Sequence, residues 1–540
     1  MSHSPPSGRP AVVDSASNDQ SSDAELLLGH RVSQAVFWNS VMFPLSMILG
    51  ALTSVWVVRY LGPQQFALYV LLTSVINTLT RYSNFGLPRS IARFLPELRR
   101  LDNGAARIRS FLRLSVSVRL GLTLLGVALL YVFTDRNGAF MGLEGSGRYL
   151  AIISSAVVLV GLNELGTYLL HGLFRQRTVN VINLTVGVVQ PSLVIVFILL
   201  GFDVAGILLA VVIANGLACV MSWVAGVRSL PAVDRAARPA AGLFTGTPDL
   251  AGRVSRYAGI VYLLDMSKYL QALPFASLMV LGFFEGSRAE ALGQVALLAV
   301  GYKLVDLAIN FLVAATRGIY TPMLAEVHVT RDLQKLRRIF ATVSKLQILL
   351  CVPAGFGLFV LSREFVVTLF GQEFEPAVGL TRVLVVFLFL NTLVAVPAGV
   401  LLTWEKYRYI ILSASVSVLG VPALLVGVRL GGAAGAAFVL GGIGLISRVA
   451  ENWGAMREFG LGYPFAFLAR VTGASVVFAV VVALTSAAID LTPLRLIGMV
   501  VTGVVLFVVV FRLVGGLDPE ERRIIETSNV PLKRLILRLT

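Results

Sequence analysis

The chain has little charge and almost no cysteine. Asp, Glu, Lys and Arg make up 14% of its 540 residues, against about 25% in soluble domains. Cys219 and Cys351 are the only cysteines and both fall in apolar stretches, which argues against a disulfide framework or a cysteine metal centre. Residues 1–30 have no apolar h-region and are rich in Ser, Pro, Asp and Asn; they read as a disordered tail, not a cleavable signal peptide. The phosphate loop Gly-x-x-x-x-Gly-Lys-Ser/Thr is missing, which excludes an ATP-driven pump of that type. No cofactor and no metal are implied.

What is present in excess is apolar sequence. Hydrophobic residues account for 56% of the chain, and they gather into roughly fourteen stretches, each near the ~20 residues needed to cross ~30 Å of hydrocarbon. The stretches run over 34–58, 66–88, 111–133, 149–172, 178–200, 203–227, 256–282, 291–318, 338–362, 379–402, 409–429, 432–456, 465–489 and 493–514. The expected fold is an all-α polytopic membrane protein.

The net charge of +16 would suggest nucleic acid in a soluble protein. Its placement gives a different explanation. Alternate loops, at 89–110, 173–177, 228–255, 319–337, 403–408 and 457–464, carry most of the arginines and lysines, whereas the opposite loops carry few. The positive-inside rule places the basic loops and both termini in the cytoplasm. The opposite loops at 134–148, 283–290 and 363–378 are short, and Arg59 to Gln65 contains no acid. A membrane glycosyltransferase or polymerase, which needs a catalytic carboxylate or a sizeable external domain, is therefore disfavoured, although Glu373 and Glu375 lie in the third of those loops.

Landmarks recur at a nearly constant offset. Pro44 matches Pro274, Leu61-Gly62 matches Leu292-Gly293, Asp102 matches Asp332, Pro191 matches Pro422 and Gly206 matches Gly435. Together they suggest two six-helix halves, 31–227 and 256–456, joined by a linker at 228–255. Two additional helices follow within 457–514, then a tail at 515–540. Halves of equal orientation are related by an axis along the membrane normal, an arrangement suited to alternating access around a central cavity.

Charges deep within such spans are costly, about 2.5–3.5 kcal/mol at the bilayer centre, and need a partner or a wet cavity. Asp265 and Lys268 sit at i, i+3 in the seventh span, and Lys303 and Asp306 repeat that spacing in the eighth. At the repeat offset, Lys268 corresponds to Asn39, Asp306 to Asn77 and Lys303 to Ser74. We expect a polar cavity between the halves in which Lys268, Lys303, Arg81, Asn39 and Asn77 bind substrate. Asp265 and Asp306 would serve as ion-coupling or charge-pair residues. A Lys268–Asp306 bridge pinning two helices is the structural alternative, and the two are compatible because a paired lysine keeps spare N–H donors. Arg119 with Glu164, and Arg448 with Glu451, read as structural charge pairs.

The segments Asn39…Arg59-Tyr60-Leu61-Gly62-Pro63…Phe66…Tyr69 and Asn84-Phe85-Gly86-Leu87-Pro88-Arg89-Ser90-Ile91-Ala92-Arg93 resemble the first-to-second-helix signature and second-helix exit of bacterial polysaccharide (O-antigen-type) flippases. The likeness continues in order through Gly172-Leu173-Phe174-Arg175, Thr321-Pro322-Met323-Leu324-Ala325, Phe370-Gly371 and Gly432-Ala433-Ala434-Gly435-Ala436-Ala437. These flippases belong to the multidrug/oligosaccharidyl-lipid/polysaccharide exporter superfamily. The resemblance implies an oligosaccharide repeat unit on a polyprenyl diphosphate, moved to the outer leaflet of a bacterial inner membrane. A polysaccharide polymerase and other assembly proteins would be candidate partners, and nucleic acid would not. A multidrug–cation antiporter and a flippase for a lipid-linked peptidoglycan precursor are the alternatives within the superfamily.

Overall fold

The computed structural model describes residues 15–99, 101, 104–136, 147–230, 248–404, 406–486 and 492–516, with side chains left undescribed at 15–45 and in short stretches elsewhere. Every regular element among these residues is helical. The first half contains α1 (Ser15–Tyr82), α2 (Leu87–Arg99), α3 (Gly104–Arg136), α4 (Gly147–Gly172), α5 (Gln176–Leu199) and α6 (Val204–Arg228). The second contains α7 (Pro248–Leu270), α8 (Leu273–Phe283), α9 (Arg288–Thr330), α10 (Leu333–Val360), α11 (Ser362–Phe370), α12 (Ala377–Leu393), α13 (Val396–Thr403) and α14 (Tyr407–Phe459). Finally, α15 (Phe465–Ser486) and α16 (Pro493–Leu513) pack on each other, and α15 lies along α10.

About fourteen crossings result. Nine of the described helices are long and apolar enough to span a bilayer, and α14 contains two spans. Both α1 and α14 are interrupted at a glycine: Gly62 (φ 64, ψ 177) and Gly432 (φ 54, ψ −130) take left-handed φ values that are costly for any residue with a Cβ. The seventh span is not one helix but two. Residues Gln271 and Ala272 separate α7 from α8, and Pro274 sits in the first turn of α8, where its missing N–H is harmless. The tenth span divides likewise between α12 and α13.

Three expectations change in detail. Helix α1 starts at Ser15, so the part of the expected tail at 15–30 is helical, while 1–14, Asp102, linker residues 231–247 and tail residues 517–540 lie outside the described residues. The loops at 89–110 and 363–378 contain the helices α2 and α11. The repeat register also holds in one place and slips in another. Gly206 and Gly435 each stand third in the helix that follows the turn, as the constant offset requires. Gly62 breaks a helix, whereas Gly293 lies inside α9. Counted from the first helical residue after each turn, Asp306 therefore corresponds to Arg81 and Lys303 to Thr78.

Within the first half, α6 packs on α4 and α5, and α2 lies across α4; in the second, α14 packs on α12, α13, α7 and α8. The halves meet where α1 contacts α8, α9 and α11, and where α2 contacts α7. One apolar core extends across that seam, including Val58, Phe66, Val70 and Leu72 from α1 with Ala276, Val280, Val295 and Ala299 from α8 and α9.

Candidate functional site

The turn between α1 and α2 ties the deep charges together. Asn84 Nδ2 donates to Glu164 Oε1 at 2.9 Å, and Arg119 Nη2 donates to Glu164 Oε2 at 3.0 Å. The Asn84 Oδ1 accepts from the Gly86 backbone N–H at 3.0 Å, an Asx turn that fixes the chain's exit from α1. Arg119 is 1% exposed, and its Nε and Nη1 have no hydrogen-bond partner among the described residues. Arg81 lies within electrostatic reach of Arg119, with its own side chain open. Asn77, one turn earlier and also open, donates back to the Thr73 carbonyl at 2.8 Å.

Across the seam, Arg89 Nη2 at the start of α2 pairs with Asp265 Oδ1 on α7 at 2.9 Å. Lys268, one turn along α7, has an open side chain within electrostatic reach of Arg448, Arg89, Glu451 and Asp265. Arg448 Nη1 in turn binds Glu451 Oε2 at 2.8 Å, and Ser413 donates to Glu451 Oε1 at 3.0 Å. The break after α7 is held by Gln271, whose amide donates to the Ser417 and Ser447 hydroxyls on α14. Lys268 thus stands in the last turn of an interrupted helix, where the negative end of the helix dipole favours a cation.

Two sets of contacts join the halves. Toward the basic loops a ladder runs along α1–α2 and α7: the Thr78 and Tyr269 hydroxyls, Tyr262 Oη on the Tyr82 carbonyl (3.3 Å), Arg89 on Asp265, Phe94 edge-on to Tyr257, and Arg253 bidentate to Glu97 (2.8 and 3.1 Å). The hydrogen bonds that Arg253 donates to Glu97 hold its guanidinium above its ordinary range. A Cβ at Gly86 would come within 2.2 Å of the Ala258 carbonyl oxygen, so only glycine allows this approach. Toward the opposite face, Arg59 donates to the Thr368 and Leu369 carbonyls at the end of α11, and Phe66 meets Phe374 edge-on. Lys303 Nζ donates to Ser54 Oγ at 3.0 Å and lies over the rings of Phe66 and Tyr69 at 5.2 and 5.5 Å.

The family model for "Polysaccharide biosynthesis protein" matches residues 32–328, more than half of the chain. The chain belongs to this polysaccharide biosynthesis protein family. A second model of the same description matches residues 288–379. Among solved structures, the chain is similar to "Lipid II flippase MurJ, inward closed conformation", with TM-score 0.67 and 12% identity over 88% of this chain and 98% of that one. It is also similar to a MOP superfamily transporter from Pyrococcus furiosus described by the reverse polarity of its binding pocket (TM-score 0.55, 16% identity, 79% and 95% covered). An outward-facing multidrug resistance MATE family transporter matches at TM-score 0.54, with 16% identity and the same coverage. No curated protein matches. At these identities the structural likeness establishes the fold. Family and fold together make this polysaccharide biosynthesis protein a multi-pass membrane protein with the fold of those transporters.

The structure distributes the expected site residues unevenly. Asp265, Lys268, Arg448 and Glu451 come together with Arg89, and Arg81 joins Arg119 and Glu164. Lys303 is engaged in the seam near the opposite face, on Ser54 and two rings. Among the described residues no ion pair links Lys268 to Asp306: Lys268 lies toward Arg448 and Arg89. The side chain of Asn39 lies outside the described residues. Sequence reasoning missed Asn84, Arg89 and Gln271 as site residues. All three had a signal: two belong to the Asn84–Arg93 motif, and the third precedes Pro274.

Proposed function

We propose that this chain carries a polyprenyl-diphosphate-linked oligosaccharide repeat unit from the cytoplasmic to the outer leaflet of a bacterial inner membrane, by alternating access between its halves. The basic loops and both termini then face the cytoplasm. The observation that carries this reading is the cation-rich polar system tied to the Asn84–Arg89 turn: Arg89, Lys268 and Arg448 outnumber Asp265 and Glu451 on one side, and Arg81 and Arg119 outnumber Glu164 on the other. A diphosphate and many sugar hydroxyls cannot cross hydrocarbon unsolvated. Lys268 and Arg81, both open, offer N–H donors that replace water around the phosphates, while the prenyl tail stays in lipid. The two inter-half contact sets act as alternately released gates. Movement of the anion outward is favoured by an inside-negative potential, about 2.3 kcal/mol per charge per 100 mV. A multidrug–cation antiporter would draw on carboxylates for its cation, and two of those in this system, Asp265 and Glu451, are each bound by an arginine.

The test is complementation of a strain lacking its polysaccharide flippase, with wild type, Lys268→Ala, Lys268→Glu and Arg81→Ala at matched membrane levels. Rescue by wild type, with loss in all three variants, supports the reading. Rescue by every variant removes the assigned site. Failure of the wild type there, with rescue of a strain lacking its peptidoglycan-precursor flippase, moves the substrate to that class.

A further inference from the structure

The basic-side ends of α5 and α6 enclose a groove of about 310 Å³ on the outer flank of the first half, lined by Thr178, Val181, Ile182, Val220, Val224 and Arg228 among others. Its walls are aliphatic. Its mouth is not: Arg228 lines it, and Arg175 and Arg177 stand exposed at the start of α5, one turn from Thr178. None of these three arginines joins an ion pair among the described residues. Beside them Phe174 is 81% exposed, at φ 57, an aromatic side chain held outward where headgroups and acyl chains meet.

The other half shows what this corner is missing. At the offset that Gly206 and Gly435 establish, Arg177 corresponds to Lys406, Arg228 to Arg457 and Ser229 to Glu458. In the second half Glu458 binds the cations: Lys406 Nζ lies 2.9 Å from its Oε2, and Arg408 reaches its Oε1. In the first half Ser229 turns back to the Ala225 carbonyl at 2.7 Å and supplies no charge. Of the two cations on Glu458, Lys406 has its counterpart in Arg177 while Arg408 falls on Val179, and the carboxylate itself is absent.

We infer that the α5–α6 groove is a binding site for an anionic phospholipid of the leaflet on the basic-loop side, its acyl chain between Val181, Ile182, Val220 and Val224 and its headgroup phosphate on Arg175, Arg177 and Arg228. The lipid phosphate stands where Glu458 stands in the second half. Each arginine near an anionic headgroup is worth roughly fivefold in affinity, and the apolar groove selects a molecule with a chain over a free phosphate. Neither α5 nor α6 is among the helices described above as joining the halves, and none of the groove residues belongs to the substrate site proposed above.

Native mass spectrometry of the detergent-purified protein, titrated with phosphatidylglycerol or phosphatidylcholine of identical chains, tests this. Wild type is expected to hold one phosphatidylglycerol at least tenfold more tightly than phosphatidylcholine. The triple variant Arg175→Gln/Arg177→Gln/Arg228→Gln should lose that preference, and Ser229→Glu, which restores the missing carboxylate, should lose it with every arginine kept. Ala225→Phe, filling the groove, should weaken both lipids. Equal binding of the two lipids by wild type, an unchanged preference in Ser229→Glu, or displacement of the lipid by glycerol phosphate at equal concentration would each overturn the proposal. Thermal melting of each variant separates loss of the site from loss of the fold.

Discussion

Asp265→Ala removes one rung of the ladder and leaves Arg89 facing its partner's place. Breaking a fully buried ion pair costs about 3–5 kcal/mol. Asp265 is 7% exposed but Arg89 is 32% exposed, so water recovers part of that, and about 1–3 kcal/mol remains as the cost to the closed basic side. With the halves apart on that side the pair is already separated, and the substitution costs little. The closed-to-open ratio should therefore fall by about 5- to 150-fold. The lower end is the firmer figure, because the Glu97–Arg253, Tyr82–Tyr262 and Phe94–Tyr257 contacts persist. The assay is the rate at which a water-soluble maleimide modifies a cysteine placed at Asn77, in a background where the buried Cys219 and Cys351 are alanine, in membrane vesicles exposing the basic loops. Asp265→Ala should speed labelling, Arg89→Ala should do the same, and the reversed pair Arg89→Asp/Asp265→Arg should return it toward the starting rate. Unchanged labelling in well-inserted Asp265→Ala, or a reversed pair as fast as the single variants, would refute the ladder as a gate.

Gly86→Ala places a methyl 2.2 Å from the Ala258 carbonyl oxygen at a φ of +69; it should hold the basic side apart and give fast labelling in the same assay, with transport lost. Arg119→Met should lower the melting temperature strongly, about 3–5 kcal/mol, by leaving Glu164 unpaired; Arg119→Met/Glu164→Leu should recover most of it, and equal melting of single and double variants would contradict the pairing. Lys303→Met loses the Ser54 hydrogen bond and two ring contacts worth up to about 2 kcal/mol when desolvated; labelling of a cysteine at Ser54 from the face opposite the basic loops should accelerate.

How much of this was legible in sequence depended on distance along the chain. Span number and the two extra helices follow from run length, because hydrocarbon thickness fixes the length of a crossing. Pairs within one half, such as Arg448 with Glu451 three residues on, follow from helical spacing. Arg119 and Glu164 were matched by sign and depth. Contacts across the seam were not accessible that way. Arg89 appeared as one more basic-loop residue, and nothing local distinguishes an arginine that meets lipid headgroups from one that reaches 2.9 Å from an aspartate on α7. The break at Gln271 had its marker in Pro274, but a proline also fits as a plain repeat landmark, and only packing against Ser417 and Ser447 decides between them. The register slip has a similar origin. Glycine pairs are frequent in an apolar chain with 50 glycines, so Gly293 fitted the offset without occupying the turn.

The two contact sets differ in a way that orders their release. Apart from the Phe94–Tyr257 contact, rungs of the basic-side ladder are salt bridges and phenol hydrogen bonds in which Arg89, Arg253 and Glu97 already touch solvent; once parted, hydration recovers part of the cost of each charged rung. Near the opposite face the lysine is enclosed by Phe66 and Tyr69 and hydrogen-bonded to one hydroxyl, and Phe66 is itself fully buried against Phe374. Parting the halves there exposes aromatic surface, at about 25 cal/mol per Å², with no compensating partner. The basic side is thus the easier to open in the empty protein. Opening the other side requires a ligand that binds that state more tightly, since a ligand shifts an equilibrium only by its differential affinity. For a carrier that loads where the basic loops lie, that inequality suppresses empty opening to the far side.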